Sequence, residues 1–139
     1  MGGDGYILDE QVGYLLRLAS QRHATIFQYY SLGGLTAQQF AALVRIGEVG
    51  QVSQNQLGRA AAMDVATIKG VVDRPRDKGL VKAEKDPGDK RRVLLSLSGA
   101  GVELLQAMYA QGLRISHETL APLSAAESRT FLELLRKLT

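Results

Sequence analysis

The fold of this 139-residue chain is decided by residues 64–93, which read DVATIKGVVDRPRDKGLVKAEKDPGDKRRV. The first half has apolar residues at helical spacing, and this predicts a helix that is capped by Asp64 and stopped by Gly79. The periodicity then changes to that of β-strands, from Leu80 to Lys85 and from Arg91 to Leu97, around the turn Asp86-Pro87-Gly88-Asp89. We therefore expect a helix followed by an antiparallel β-hairpin.

Helices are predicted on both sides of this stretch. Long periodic segments run from about residue 9 to residue 30 and from Ser98 to about Leu120. Three other helices begin at capping boxes, in which each residue of a pair satisfies a backbone N–H of the other: Thr36 with Gln39, Ser53 with Gln56, and Ser124 with Glu127. The predicted order is α-α-α-α-β-β-α-α, a mainly α fold with a small antiparallel β-hairpin.

This order divides the chain into three parts. Residues 1–8 are rich in glycine, and we expect them to form a disordered tail. Residues 35–97 hold the short helices and the hairpin, and we predict that they form one lobe. The helices in residues 9–34 and 98–139 have more apolar surface than one lobe can cover. We therefore expect these residues to form a helical dimerisation region, and the protein to be a homodimer.

The composition excludes several classes of function. The chain has no cysteine, which removes disulfides, thiol nucleophiles and thiolate metal sites. Its two histidines, His23 and His117, are far apart, and we expect no metal site. No recognised catalytic motif occurs, so we predict that the protein is not an enzyme and needs no cofactor. Without a signal-peptide pattern or a long apolar run, we expect a cytoplasmic protein with no membrane partner.

The charge distribution and the element order together predict a DNA-binding lobe. Between Ser53 and Arg92 there are ten Lys and Arg against six Asp and Glu, whereas the rest has seven against eight. Two short helices before a basic hairpin are typical of a winged helix-turn-helix, whose second helix enters the major groove of double-stranded DNA. We expect DNA contacts from Ser53, Gln54, Val65, Ala66, Thr67, Lys69, Gly70, Arg74, Asp89, Lys90, Arg91 and Arg92.

Two points about this interface stay open. Asp89 is acidic and would face phosphates, so its expected role is to orient Arg91 through a charge-assisted hydrogen bond. The alternative function is a winged-helix module that binds another protein and has no specific DNA site. Salt-dependent binding to duplex DNA discriminates between these two functions.

The chain resembles the MarR-type (multiple antibiotic resistance) regulators over roughly residues 9–138. The residues that carry the resemblance are Leu35-Thr36, Gln56-Leu57, Val72-Asp73-Arg74, Lys78-Gly79-Leu80-Val81, Asp86-Pro87-Gly88-Asp89-Lys90-Arg91-Arg92-Val93, Leu97-Ser98 and Gly101. The resemblance implies a homodimer that binds a pseudo-palindromic operator. It also implies a small ligand, often a phenolic or aromatic carboxylate, that loosens DNA binding. The expected function is therefore a dimeric, ligand-released repressor.

The resemblance further implies a pocket for this effector between the dimerisation helices and the DNA-binding lobe. Aromatic walls and cations for an aromatic carboxylate or its thioester are offered by Tyr14, Arg17, Arg22, His23 and Phe27. The same side chains also fit a purely structural role, as core aromatics and as paired or solvated cations.

The sequence departs from the family pattern at two positions. Gly88 stands where the family often has an arginine, which implies one phosphate contact fewer at the hairpin tip. Pro75 stands where a leucine is usual, inside the helix that begins after Asp64. Because proline removes a backbone donor and crowds the carbonyl group of Val71, we expect a kink or an early helix end near Arg74.

Overall fold

The computed structural model describes residues 3–139, which form two compact units. One unit comprises the chain up to Tyr30 together with Gly112–Thr139, and the other comprises Ser31–Gln111. The tail predicted over residues 1–8 lies partly outside the described residues, since these begin at Gly3. At the other end of that tail, Leu8 begins a short 3-10 helix, Leu8–Glu10.

The unit Ser31–Gln111 contains the elements predicted from residues 64–93 and their neighbours. Its elements are α2 (Ala37–Val49), β1 (Val52–Ser53), α3 (Gln54–Ala60), α4 (Val65–Asp77), β2 (Val81–Asp86), β3 (Asp89–Leu97) and the first part of α5 (Gly99–Leu120). The other unit contains α1 (Val12–Tyr30), the end of α5, and α6 (Ala125–Lys137). The mainly α fold with a small antiparallel sheet is thus confirmed. Within residues 3–139, no helix has the length and apolar character needed to cross a bilayer.

The helix boundaries follow the predicted caps. All three capping boxes are present with both of their hydrogen bonds, at the starts of α2, α3 and α6. The side chain of Asp64 accepts the N–H of Thr67 at 2.7 Å and so caps α4. Gly79 follows α4 with φ of 76°, the left-handed conformation expected of a helix stop. These boundaries were predictable because each depends on residues close together in sequence.

The sheet has one strand more than predicted. Its order is β1-β3-β2, with both neighbours antiparallel to β3. β1 consists only of Val52 and Ser53, which pair with Leu95 and Leu94. Two residues are too few to show a strand periodicity, and β1 was therefore not predicted. This strand ties the start of α3 to the long strand of the hairpin.

The core of the same unit lies between the helices and one face of the sheet. Its fully buried side chains, all below 2% exposure, include Leu43, Ile46, Leu57, Ile68, Leu95 and Met108. Burial of a side chain of this size stabilises the fold by about 1.5–3 kcal/mol. Ile68, Val71 and Val72 form the buried face of α4. Leu95 of β3 is buried, whereas Val93 is 42% exposed, because it lies near the open tip of the hairpin.

Of the two outcomes expected at Pro75, a kink or an early helix end near Arg74, the early end is wrong. The helix continues to Asp77, the N–H of Lys78 donates to the carbonyl of Arg74 at 3.1 Å, and the N–H of Leu80 donates to the carbonyl of Pro75 at 2.9 Å. The proline ring is fully buried. Burial in the core therefore offsets the one backbone donor that proline lacks.

The start of α5 approaches the base of the hairpin very closely. A Cβ atom on Gly101 would collide with the carbonyl oxygen of Leu80, and the N–H of Ser98 donates to that oxygen at 3.0 Å. The hydroxyl of Ser98 donates to the carbonyl of Gly79 at 2.5 Å and accepts the N–H of Gly101 at 3.0 Å. The end of α4, the base of the hairpin and the start of α5 are therefore fixed to one another. Position 101 admits only glycine.

We predict that Gly101→Ala lowers the free energy of unfolding by about 3 kcal/mol, because the added Cβ displaces backbone in a packed core. The matched control is Gly99→Ala in the same helix, where a Cβ meets nothing within 4 Å. Gly99→Ala should leave the free energy unchanged or raise it by up to about 1 kcal/mol. Urea unfolding measures both variants. Equal stability of the two would contradict the close approach at Leu80.

Candidate nucleic-acid interface

Helices α3 and α4 form the helix-turn-helix, and a tight turn joins them. Ala62 adopts the left-handed conformation with φ of 56°, and the N–H of Met63 donates to the carbonyl of Gly58 at 2.7 Å. A Cβ on Gly58 would lie 3.0 Å from the Met63 carbonyl oxygen and 3.3 Å from Cγ2 of Ile68. The small residue at position 58 thus lets the turn and α4 pack closely on α3.

The short helix α3 is held at both ends. It has seven residues, too few for an isolated helix to be stable. At its start, Ser53 and Gln56 form the capping box, which uses the Ser53 hydroxyl as a hydrogen-bond acceptor. At its end, Nε of Arg45 donates to the carbonyl of Ala60 at 2.9 Å. The position of α3, and of its outward side chains, is therefore set by α2 and β1.

The N-terminus of α4 carries a carboxylate of its own. The backbone N–H of Thr67 is the largest cause that holds the pKa of Asp64 below its ordinary value, and the Thr67 hydroxyl and the N–H of Ala66 act in the same direction. Asp64 is therefore ionised at neutral pH. Its negative charge offsets the positive end of the helix dipole.

The outward face of α4 holds the predicted base-reading residues. Val65 is 63% exposed. Ala66, Lys69, Gly70 and Arg74 are also exposed, whereas Thr67 is half-buried. Donors are thus few on this face, and the exposed methyl groups offer apolar contacts of the kind that recognise the thymine methyl group.

The tip of the hairpin presents arginines beside carboxylates. Oδ1 of Asp89 accepts the backbone N–H of Arg91 at 3.0 Å and lies 3.7 Å from its Nε. The Arg91 side chain is nevertheless 96% exposed. Asp86 accepts the N–H of Gly88 at 2.8 Å, and its other oxygen lies 3.8 Å from Nε of Arg92. Each aspartate therefore faces an arginine while it also shapes the turn.

A polar groove of about 430 Å³ lies between α3 and the hairpin, and we call it the arginine groove. It is lined by Ser53, Gln54, Asn55, Gln56, Arg59, Arg91, Arg92 and Val93. The structure thus brings together four of the predicted DNA contacts: Ser53, Gln54, Arg91 and Arg92. Asp89 and Lys90 do not line the groove. Ser53 itself is 95% buried in its capping role, with an exposed fraction of 5%.

Three residues that line the arginine groove were not predicted from the sequence: Asn55, Gln56 and Arg59. Asn55 and Arg59 are four positions apart on α3 and share one face of the helix. They also line a second hollow with Gly58, Met63, Asp64, Val65 and Ile68 at the start of α4. An exposed asparagine and arginine at helical spacing were the available signal. These two residues connect the outward face of α4 with the hairpin.

The residues proposed for an effector lie on α1. The Arg22 guanidinium donates to the carbonyl groups of Thr119 and Glu118 at 2.6 and 3.0 Å, at the C-terminal end of α5. Nδ1 of His23 lies 2.8 Å from the Thr119 hydroxyl oxygen. Phe27 is buried and 6.3 Å from the His23 ring, and Arg17 lies over the Tyr14 ring at 5.3 Å. Arg22 thus caps the C-terminal end of α5, and His23 contacts a side chain there. Among residues 3–139, no group of three or more His, Asp and Glu could hold a metal ion.

Comparison with known proteins identifies the class. Residues 33–92 match the sequence profile of the MarR family. The HTH-type transcriptional repressor NicR of Pseudomonas putida is 42% identical over 96% of this chain and 85% of its own length. Bordetella bronchiseptica BpsR, whose DNA binding is regulated by 6-hydroxynicotinic acid, is 38% identical, with a TM-score of 0.84 over 93% of this chain and 98% of that one.

A third comparison concerns DNA. A MarR variant from E. coli, solved with operator DNA, is 28% identical, with a TM-score of 0.81 over 91% of this chain and 92% of that one. The winged helix-turn-helix and these relatives are those of DNA-binding transcriptional regulators and not of enzymes. The chain belongs to the MarR family.

Proposed function

We propose that this regulator is a homodimeric repressor that binds a pseudo-palindromic operator and is released by a small aromatic acid. One observation carries the DNA-binding part of this proposal. The exposed face of α4, the arginine groove and the Arg91 side chain follow one another across a single lobe, joined by Asn55 and Arg59. We propose residues 35–97 as the DNA-binding lobe and residues 9–34 and 98–139 as the dimerisation region.

The proposed contacts divide by chemistry. Val65, Ala66, Thr67, Lys69 and Gly70 are proposed for the base edges in the major groove, and Arg74 for a phosphate. Arg91 and Lys90 are proposed for the adjacent minor groove, whose narrow A·T-rich form attracts arginine electrostatically. Asp89 is proposed to orient Arg91, and their separation of 3.7 Å supports this role. Ser53 and Gln54 are proposed to lie beside the sugar-phosphate backbone of the DNA.

We predict that Arg91→Ala weakens operator binding by the dimer about a hundredfold, since it removes one charge-assisted contact from each of the two lobes, without loss of helical content. The operator is a duplex that the wild-type protein selects from a random pool, and affinity is measured by mobility shift at several salt concentrations. Arg129→Ala on α6 is the control for loss of one arginine. A wild-type protein that binds no duplex would favour the protein-interaction module instead. Unchanged affinity of Arg91→Ala would remove the hairpin tip from the interface.

An exposed apolar surface supports the homodimer. On α1, Val12 and Leu15 are 64% and 50% exposed, and on α6, Leu134 and Leu138 are 54% and 69% exposed. They line one hollow of about 470 Å³ with Leu16, Ala19, Phe131 and Leu135. A monomer rarely leaves so many neighbouring apolar side chains in water. A second copy can cover them through a two-fold axis that pairs the same surface on both chains.

We predict that Leu134→Glu weakens the dimer at least about a hundredfold, because the interface would bury an unpaired carboxylate. Leu134 is half-exposed in one chain, so the substitution should not unfold it. Val49→Glu is the matched control, since Val49 is 59% exposed and belongs to the other unit. Light scattering at micromolar concentration should give a dimer for the wild type and Val49→Glu. A monomeric wild type, or a fully dimeric Leu134→Glu, would contradict the proposal.

The relatives support an aromatic acid as effector. BpsR responds to 6-hydroxynicotinic acid, and we propose an effector of this class for this chain. Tyr14, Arg17, Arg22, His23 and Phe27 stay the proposed contacts. Arg17 is exposed, and its guanidinium lies over an aromatic ring. An acid that engages Arg22 would compete with the carbonyl groups of Thr119 and Glu118, and would thereby loosen the end of α5 from α1.

We predict that 6-hydroxynicotinic acid raises the melting temperature of the wild-type protein and releases it from its operator. A free ligand concentration of about 100 times Kd stabilises a protein by about 2.7 kcal/mol. For a domain of this size, this raises the melting temperature by several degrees. Arg17→Ala should respond only at higher ligand concentration and keep its DNA affinity. Benzene-ring acids and their thioesters serve as comparison ligands. A melting temperature and an operator affinity that no aromatic acid changes would refute this part of the function.

A further inference from the structure

The arginine groove holds more positive charge than the nearby carboxylates balance. Three of the eight residues that line it are arginines, and none is Asp or Glu. Arg91 and Arg92 face aspartates only at 3.7 and 3.8 Å. Arg59 takes part in none of the ion pairs found in residues 3–139. An anion stabilises positive charges that lie together in an open polar groove. One guanidinium group can bind two oxygens of a phosphate through two parallel hydrogen bonds.

We propose that the arginine groove is a phosphodiester clamp, in which Arg59 of α3 and Arg92 of β3 hold one phosphate of the DNA backbone. This proposal rests on the proposed function and adds to it one residue, Arg59, and the role of that residue in binding a phosphate. The clamp fixes the register of the lobe on the duplex. It does not read bases.

The place of Arg59 favours the backbone over the bases. Arg59 and Asn55 line both the arginine groove and the hollow beside Asp64 and Val65. They therefore stand between the face of α4 proposed for the major groove and the hairpin tip proposed for the minor groove. Because the two grooves of a duplex are separated by one sugar-phosphate backbone, that backbone must pass these residues. The groove volume of about 430 Å³ is several times that of a phosphate group.

The N-terminus of α4 cannot take this phosphate. Its donors already face a carboxylate, since Asp64 accepts the N–H of Thr67 at 2.7 Å. A phosphate there would also be repelled by Asp64. The arginine groove lies on the other side of Asn55 and Arg59 and has no acidic lining.

Asp86 is a positioning residue for the clamp. Its Oδ2 faces Nε of Arg92, so the terminal amino groups of that guanidinium are left for another acceptor. The Arg92 side chain is 43% exposed, whereas that of Asp86 is 21% exposed. Asp86 thus restricts the Arg92 side chain at Nε, and the terminal amino groups of Arg92 stay available to an anion in the arginine groove.

The test compares three full-length variants with the wild type on two duplexes. Arg59→Ala removes one contact from each lobe, so the dimer should bind the selected operator and a random duplex about a hundredfold more weakly than the wild type. Its plot of log affinity against log salt concentration should lose about 1.8 in slope, which corresponds to two phosphate contacts per dimer. Arg59→Lys keeps the charge but not the paired donors, so it should recover the salt dependence and only part of the affinity. Arg129→Ala, on α6, is the control for loss of one arginine, and light scattering checks that this variant is still a dimer. Circular dichroism checks folding, which the exposed position of Arg59 should preserve.

A second measurement locates the phosphate. Operators that carry one neutral methylphosphonate at successive positions are bound by the wild type and by Arg59→Ala. One position per half-site should weaken the wild type about tenfold and leave Arg59→Ala unchanged, because the contact is already lost.

The outcomes separate the clamp from the function on which it rests. A wild-type protein that binds no duplex refutes both. Salt-dependent wild-type binding with an unchanged Arg59→Ala overturns the clamp alone. A loss confined to the operator, with unchanged binding to random duplex, also overturns it, since Arg59 would then read bases.

Discussion

The carbonyl oxygen of Leu80 is the point on which the DNA-binding lobe depends. It accepts the N–H of Ser98 and lies against Gly101 so closely that no side chain fits there. This oxygen holds three parts of the lobe close together: the end of α4, the base of the hairpin and the first turn of α5. This contact at the base of the hairpin helps to hold Arg91 at a fixed place relative to α4. A winged helix-turn-helix needs that fixed relation, since its helix and its hairpin contact different grooves of one duplex.

Charge is distributed in the lobe so that the start of α4 and the arginine groove differ in sign. Asp64 is ionised and caps α4, and therefore the N-terminus of this helix is electrostatically occupied. The cations stand instead on α3 and β3, at Arg59, Arg91 and Arg92. In the proposed interface, phosphate attraction would therefore come from α3 and β3 and not from the N-terminus of α4. The exposed face of α4 would be left for the bases, with the small side chains of Ala66 and Gly70 beside Lys69.

The features that could be predicted from the sequence are those set by near neighbours. The capping boxes, the Asp64 cap and the Gly79 stop each depend on a few adjacent residues, and all were found as expected. The features that were missed depend on distant partners. β1 exists because Val52 and Ser53 meet β3, some forty positions later, and Arg59 was missed because it lines the arginine groove together with Arg91 and Arg92, more than thirty positions later. Pro75 was misjudged for the same reason: its local cost was visible in the sequence, but its burial in the core was not.

Gly70 has a consequence for the evolution of specificity. It lies in the middle of α4 on the exposed face, and a Cβ at this position meets no atom within 4 Å. A Cβ atom can therefore be added there without repacking the lobe, and alanine would strengthen the helix by about 1 kcal/mol relative to glycine. A single substitution could give the helix a new donor or acceptor toward the bases at no expense in folding. The lobe thus contains a vacant site from which a duplicated gene could acquire a different operator.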